Sequence, residues 1–118
     1  MILHDQQYPV INFKKGLLPL IILSVLKAKD MYGYQLVQEI GRRSKGSIIT
    51  QEGSLYPVMY RLEEAGFVSE HIESYGRMKR CYYHLEPLGE EFCQQLTTEY
   101  DLVTAGMQLI LGREGKPT

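Results

Sequence analysis

Gly53-Ser54-Leu55-Tyr56-Pro57-Val58-Met59-Tyr60-Arg61-Leu62-Glu63-Glu64-Ala65-Gly66-Phe67-Val68, followed by Tyr75-Gly76-Arg77-Met78-Lys79-Arg80-Cys81-Tyr82-Tyr83-His84-Leu85, is the stretch whose reading decides the fold. Leu55, Met59 and Leu62 recur at i, i+4 and i+7, so they share one face of a helix and leave Ser54, Pro57, Tyr60, Arg61 and Glu64 on the other. Gly66 ends that helix. Phe67 to Glu73 and Met78 to Leu85 then read as two strands around a glycine turn. Alternation sets Cys81, Tyr83 and Leu85 against Arg80, Tyr82 and His84, and Tyr82, like Tyr60, is expected to point outward. The second strand begins among Arg77, Lys79 and Arg80. A helix next to a basic hairpin is the layout of a recognition helix with a wing, able to read base edges and touch the DNA backbone.

Working outward, Leu17 to Lys29 reads as a first helix with Pro19 tolerable in its opening turn. A second helix is expected from Gly33 to Ser44, burying Tyr34, Val37 and Ile40 and ending near Gly46. Ile48-Ile49 can pair as a short strand beside the hairpin, and Thr50 suits the N-cap of the recognition helix, its hydroxyl accepting from the Gly53 amide. Downstream, a helix from Pro87 can run to Leu111 before Gly112, about 37 Å long. Cys93, Leu96, Tyr100, Val103, Met107 and Ile110 form a heptad seam along it, beside a second stripe of Leu88, Phe92, Leu102 and Leu109. So much apolar surface calls for a partner helix. The fold class expected is mainly α with a small β-hairpin: a winged helix-turn-helix over 16–86 and a C-terminal dimerisation helix over 87–112. An N-terminal arm over 1–15 and a tail over 113–118 flank them.

The chain has 118 residues, 44% hydrophobic and 23% charged, which is the composition of one ordinary globular domain and excludes a disordered chain. Its longest apolar run, Leu17 to Leu26, is far short of the roughly 20 residues of a bilayer span, and no signal sequence opens the chain, so a cytoplasmic location is expected. A net charge of −1 hides an uneven distribution. Residues 1–86 hold 11 Lys+Arg against 9 Asp+Glu, whereas residues 87–118 hold 2 against 5. Arg42, Arg43 and Lys45 form one cationic group and Arg77, Lys79 and Arg80 another, and local patches set affinity for a phosphate backbone.

Several of these residues also carry a resemblance. Gly33-Tyr34 at the start of the second helix, Gly53 to Pro57 opening the third, Arg80 to Tyr83 on the strand and Leu85 to Gly89 at the last helix together resemble the PadR-type transcriptional regulators. The resemblance covers residues 16 to 111 and departs at Glu86, where the family usually has a capping Thr. It implies a short member in which the single C-terminal helix makes the dimer interface and borders a pocket for a small hydrophobic or aromatic effector. It implies a homodimeric repressor of transcription, bound to a roughly palindromic operator and released by that effector.

On this reading Tyr34, Gln51, Ser54, Tyr56, Pro57, Tyr60, Arg61, Arg77, Lys79 and Arg80 are the candidate DNA-binding residues. Phe92, Leu96, Tyr100, Val103, Met107 and Ile110 are the candidates for dimer and effector contacts. Tyr34, Tyr56 and Tyr83 also fit half-buried core positions with a hydroxyl at the surface. The effector pocket is placed between Tyr100, Met107, Phe92 and the first helix, with simple dimer packing as the other account of those residues. A winged helix that binds protein is the alternative function, but such a wing would be apolar or acidic, unlike Arg77 to Arg80.

No cofactor or metal is expected. Cys81 and Cys93 have no ligand spacing and fit structural thiols, and Cys81 and His84 fall on opposite strand faces. Nor is catalysis: Glu63 and Glu64 diverge by about 100° on a helix and read as two solvated acids.

Overall fold

A helix that is apolar on most sides needs neighbours to bury it, and Leu18–Leu26 (α1) has them over much of its surface. In the computed structural model, which describes residues 15–113, α1 packs against every other helix and one strand, burying Leu18, Ile22, Leu23, Val25 and Leu26. Pro19 sits in its first turn, where no intrahelical partner for an amide is lost. The helix stops at Leu26, short of the expected Lys29, once Lys27, Ala28 and Lys29 are exposed.

Met31–Tyr32 (β1) follows, then Gly33–Arg43 (α2), Glu52–Glu64 (α3), Val68–Tyr75 (β2), Met78–Leu85 (β3) and Pro87–Leu111 (α4). The three strands form an antiparallel sheet in the order β1-β3-β2, with Met31 opposite Tyr83, Val68 opposite Leu85 and Tyr75 opposite Met78. The arrangement is the expected α+β class with a winged hairpin. The third strand, however, comes from Met31–Tyr32 and not from Ile48-Ile49. The Ile48 amide donates to the Ser44 hydroxyl at 3.0 Å, which folds that segment into a loop closing α2.

Two further expectations are corrected. The buried face of α2 is Gly33, Leu36 and Ile40, with Val37 at its margin, while Tyr34 is 52% exposed. The N-cap of α3 is Gln51 without a side-chain bond, so the Thr50 hydroxyl does not cap it. At the other end of α3, Gly66 has a φ of 82° and the Phe67 amide returns to the Leu62 carbonyl at 2.9 Å, turning the chain into the hairpin.

Leu55, Val58, Met59 and Leu62 of α3 join α1, Met31, Leu36, Ile40, Val68, Tyr83 and Cys93 in one core. Buried Cys93 ties α4 to α1 through a 3.5 Å contact with the Ser24 hydroxyl. The first turn of α4 lies against the start of the hairpin, where Phe67 and Phe92 stack with centroids 4.3 Å apart. Glu86 is the N-cap of α4, but its carboxylate accepts from the Ser69 hydroxyl at 2.5 Å and so braces the strand instead of bonding the helix amides. The arm proposed for residues 1–15 and the tail lie outside the described residues except for Lys15 and Arg113.

Candidate nucleic-acid interface

Three elements are linked by contacts at the amino end of α2. The first is the outer face of α3, where Gln51, Ser54, Tyr56, Pro57, Tyr60 and Arg61 are all exposed while Leu55, Val58, Met59 and Leu62 turn inward. Pro57 lies within the helix, on this exposed side, where the carbonyl it leaves without an amide partner can meet water. The Tyr56 hydroxyl donates to the Glu52 carboxylate at 2.7 Å, and that bond is the main reason its phenol titrates above the usual range.

The second element is the amino end of α2. Its first free amide there, that of Tyr32, donates to the Gln35 side chain at 3.2 Å. Gly33 approaches α3 so closely that a Cβ would lie 2.6 Å from the Tyr56 hydroxyl and 3.0 Å from Glu52. The two helix beginnings are therefore held together, and exposed Tyr34 stands beside them.

The wing is the third. Gly76 has a φ of 61° whereas Arg77 keeps a negative φ, the pattern of a two-residue type II′ turn. Arg77 and Lys79 are exposed around this turn, and Arg80 is half-buried over the ring of Tyr32. Tyr82 departs from expectation: although it faces away from the core it is only 9% exposed, covered by Tyr32 edge-on and by the His71 ring.

Two other predicted groups change character. Arg42 and Arg43 both bond Glu39, at 2.5 and 3.2 Å, so that charge run is partly neutralised by an acid just upstream of it. The Arg42 bond chiefly holds the Glu39 carboxyl down at about 2. Arg61, although exposed, lines an apolar groove of about 430 Å³ at the far end of α3 from Gln51. Phe92, Leu96, Tyr100 and Val103 of α4 line the same groove with the start of α1, whereas Met107 lies beyond it. At the edge of the groove and past it the seam is bare: Val103 is 54% and Ile110 78% exposed.

The Glu63–Glu64 pair also reads differently in three dimensions. Glu63 meets Glu70 of β2, and burial first, then that neighbouring carboxylate, push Glu63 up to about 7. Glu70 is held low by hydrogen bonds from Glu63 and from the Cys81 thiol, the latter at 3.1 Å. Between about 4.5 and 7 the folded chain thus binds more protons at Glu63 than the unfolded chain, so its stability falls as pH rises through that window. Glu63→Gln is expected to be more stable than the parent by about 1 kcal/mol near pH 8, after solvent screening, and equal to it near pH 4. Thermal melts at the two pH values check this.

Among the described residues no group of His, Cys, Asp and Glu could hold a metal ion, and no helix is long and apolar enough to cross a membrane. Residues 22–95 match the model of the Transcriptional regulator PadR-like family. The chain belongs to this family. PadR-like proteins are regulators of transcription and not enzymes. The protein named Uncharacterized protein X of Lysinibacillus sphaericus is 38% identical over 91 residues, 73% of this chain and 80% of that one. A PadR family transcriptional regulator from Eggerthella lenta superposes with a TM-score of 0.78 at 25% identity, over 94% of each chain. Bacillus subtilis PadR in complex with operator DNA shares the fold, with a TM-score of 0.63 at 18% identity, over 69% of this chain and 46% of that one. In this PadR-like chain the matched segment spans the three linked elements and ends within the first part of α4.

Proposed function

We propose that this PadR-like regulator binds operator DNA as a two-fold homodimer and represses transcription in the cytoplasm until a small hydrophobic or aromatic effector releases it. The observation that carries the reading is that the α2 amino end packs through Gly33 on α3, whose outer face is exposed, while Arg80 of the wing rests over Tyr32, the N-cap of α2. Gln51, Ser54, Pro57 and Tyr60 offer the side chains for base edges and Tyr34 offers a hydroxyl to phosphate, whereas Tyr56 can donate to phosphate only by giving up its bond to Glu52. Arg77, Lys79 and Arg80 supply the charge that meets the backbone. That Bacillus subtilis PadR is known in complex with operator DNA supports the same use of the fold here.

Residues 16–86 act as the reading head and residues 87–112 as the dimerisation helix in this account. The bare seam of Tyr100, Val103, Met107 and Ile110 supports a partner helix, and the groove lined by Phe92, Leu96 and Tyr100 supports an apolar effector. Arg61 is exposed on α3 and also borders that groove, so it is a candidate both for base contacts and for contact with the effector.

Two-fold docking demands half-sites about one helical turn apart. Selection of bound duplexes should yield a roughly palindromic operator, and moving its half-sites by half a turn should abolish tight binding in a mobility-shift series. Binding indifferent to spacing rules the two-fold arrangement out. Arg77→Ala with Lys79→Ala should weaken all duplexes alike and lower the slope of log K against log salt by about 0.9 for each phosphate that is no longer neutralised. Ser54 or Tyr60 substitutions should instead re-rank sequences by about 1 to 3 kcal/mol for each base edge that is no longer read.

A further inference from the structure

The three wing cations are not equivalent. Arg77 in the turn and Lys79 just after it are exposed, whereas Arg80 lies on an aromatic platform built from the neighbouring strands. Its guanidinium carbon is 4.5 Å from the ring centroid of Tyr32 in β1 and 5.5 Å from that of Tyr75 in β2. Both distances are within the reach of a cation–π contact.

The platform itself is fixed. The Tyr75 hydroxyl bonds Glu73 at 2.8 Å and meets the Tyr82 hydroxyl at 3.2 Å. Tyr82 in turn packs edge-on against Tyr32, with centroids 5.3 Å apart, and stacks on His71 at 5.7 Å. Glu73 stands directly across the ladder from Arg80, the place where an ion pair would be expected. Its two carboxylate oxygens are taken instead by Tyr75 and by the His71 ring at 3.0 Å. Among the described residues no acceptor bonds the Arg80 guanidinium.

A guanidinium resting over a ring, with its N–H groups without a protein acceptor among the described residues, is available to an oxyanion. Tyr32 is also the N-cap of α2, so the platform joins the wing to the helix beginning that borders α3. We propose that Tyr32 and Tyr75 are positioning residues that hold Arg80 for a backbone phosphate of the bound duplex. The inference rests on the DNA-binding reading above. A preorganised arginine loses little side-chain freedom on contact, which exposed Arg77 and Lys79 cannot match.

The test is a salt series of fluorescence anisotropy on a mixed-sequence duplex of about 30 base pairs, together with thermal melts of each variant. Arg80→Ala should lower the slope of log K against log salt by about 0.9. Tyr32→Leu should weaken binding about tenfold, Tyr32→Phe should restore it because the ring face is kept, and Arg80→Ala with Tyr32→Leu should bind no worse than Arg80→Ala. Arg80→Lys keeps charge and fold but not the planar stack, and should weaken binding although Tyr32 is intact. If the parent binds duplex and Tyr32→Leu lowers only the melting temperature, or Arg80→Ala leaves the slope unchanged, the platform is structural and the inference is overturned. A parent that binds no duplex overturns the DNA-binding reading itself, and the inference with it.

Discussion

Val103→Glu is expected to leave the chain folded, abolish the proposed dimer and lower operator affinity by about 100-fold or more. Val103 is 54% exposed in the single chain, so a carboxylate there reaches water in the monomer and the tertiary fold has no reason to fail. In a dimer joined along the seam the same position lies mid-interface between Tyr100 and Met107. Burying the carboxylate there costs several kcal/mol unless it protonates or escapes to water. A monomer then engages one half-site at a time and loses the gain from having the second half-site held close. Sedimentation at micromolar concentration checks the assembly, and circular dichroism checks that the helices persist. A stable dimer of Val103→Glu would show that the seam is not the dimer contact.

Gly89→Ala is expected to destabilise the chain by about 2 to 3 kcal/mol and to lower its melting temperature by roughly 10 °C or more. A Cβ on Gly89 would lie 2.1 Å from the Phe67 carbonyl oxygen and 2.8 Å from its carbon. These are backbone atoms, and the same carbonyl accepts the Glu86 amide at 3.0 Å, so it cannot swing aside without loosening the hairpin's start. The substitution therefore forces α4 away from the sheet and unstacks Phe92 from Phe67. Gly106→Ala on the same helix is the control. Nothing lies within 4 Å of its added methyl, so helix propensity alone acts and raises stability by about 0.5 to 1 kcal/mol. Calorimetric melts of the two variants should move in opposite directions, and a neutral Gly89→Ala would contradict the close packing of α4 on Phe67.

That contact gives a physical reason for the Leu85 to Gly89 pattern, which sequence shows only as a pattern. The same division runs through the rest of the molecule. Helix α3 was legible because its apolar residues repeat on one face and Gly66 ends it, and α4 because its seam keeps step from Cys93 to Ile110. The hairpin was legible because strand alternation has a period of two and Gly76 marks its turn. A two-residue strand such as Met31–Tyr32 has no period to read, whereas the β-branched pair Ile48-Ile49 has the composition of a strand without being one. Its place is set by the chain leaving α1 past the free edge of β3.

Local sequence thus determined which residues form α3, the wing and the long last helix, because those elements follow from periodic burial and from glycines at their ends. Tertiary structure decided which side chains meet. Glu39 pairs with both Arg42 and Arg43 a turn away, Glu63 finds Glu70 across a helix–strand contact, Arg61 borders the groove, and Arg80 rests on rings from two different strands. Periodicity assigns a residue to a face of its own element. Only the packing of one element on another determines what that face touches, and hence whether a charge is free, paired or held in place.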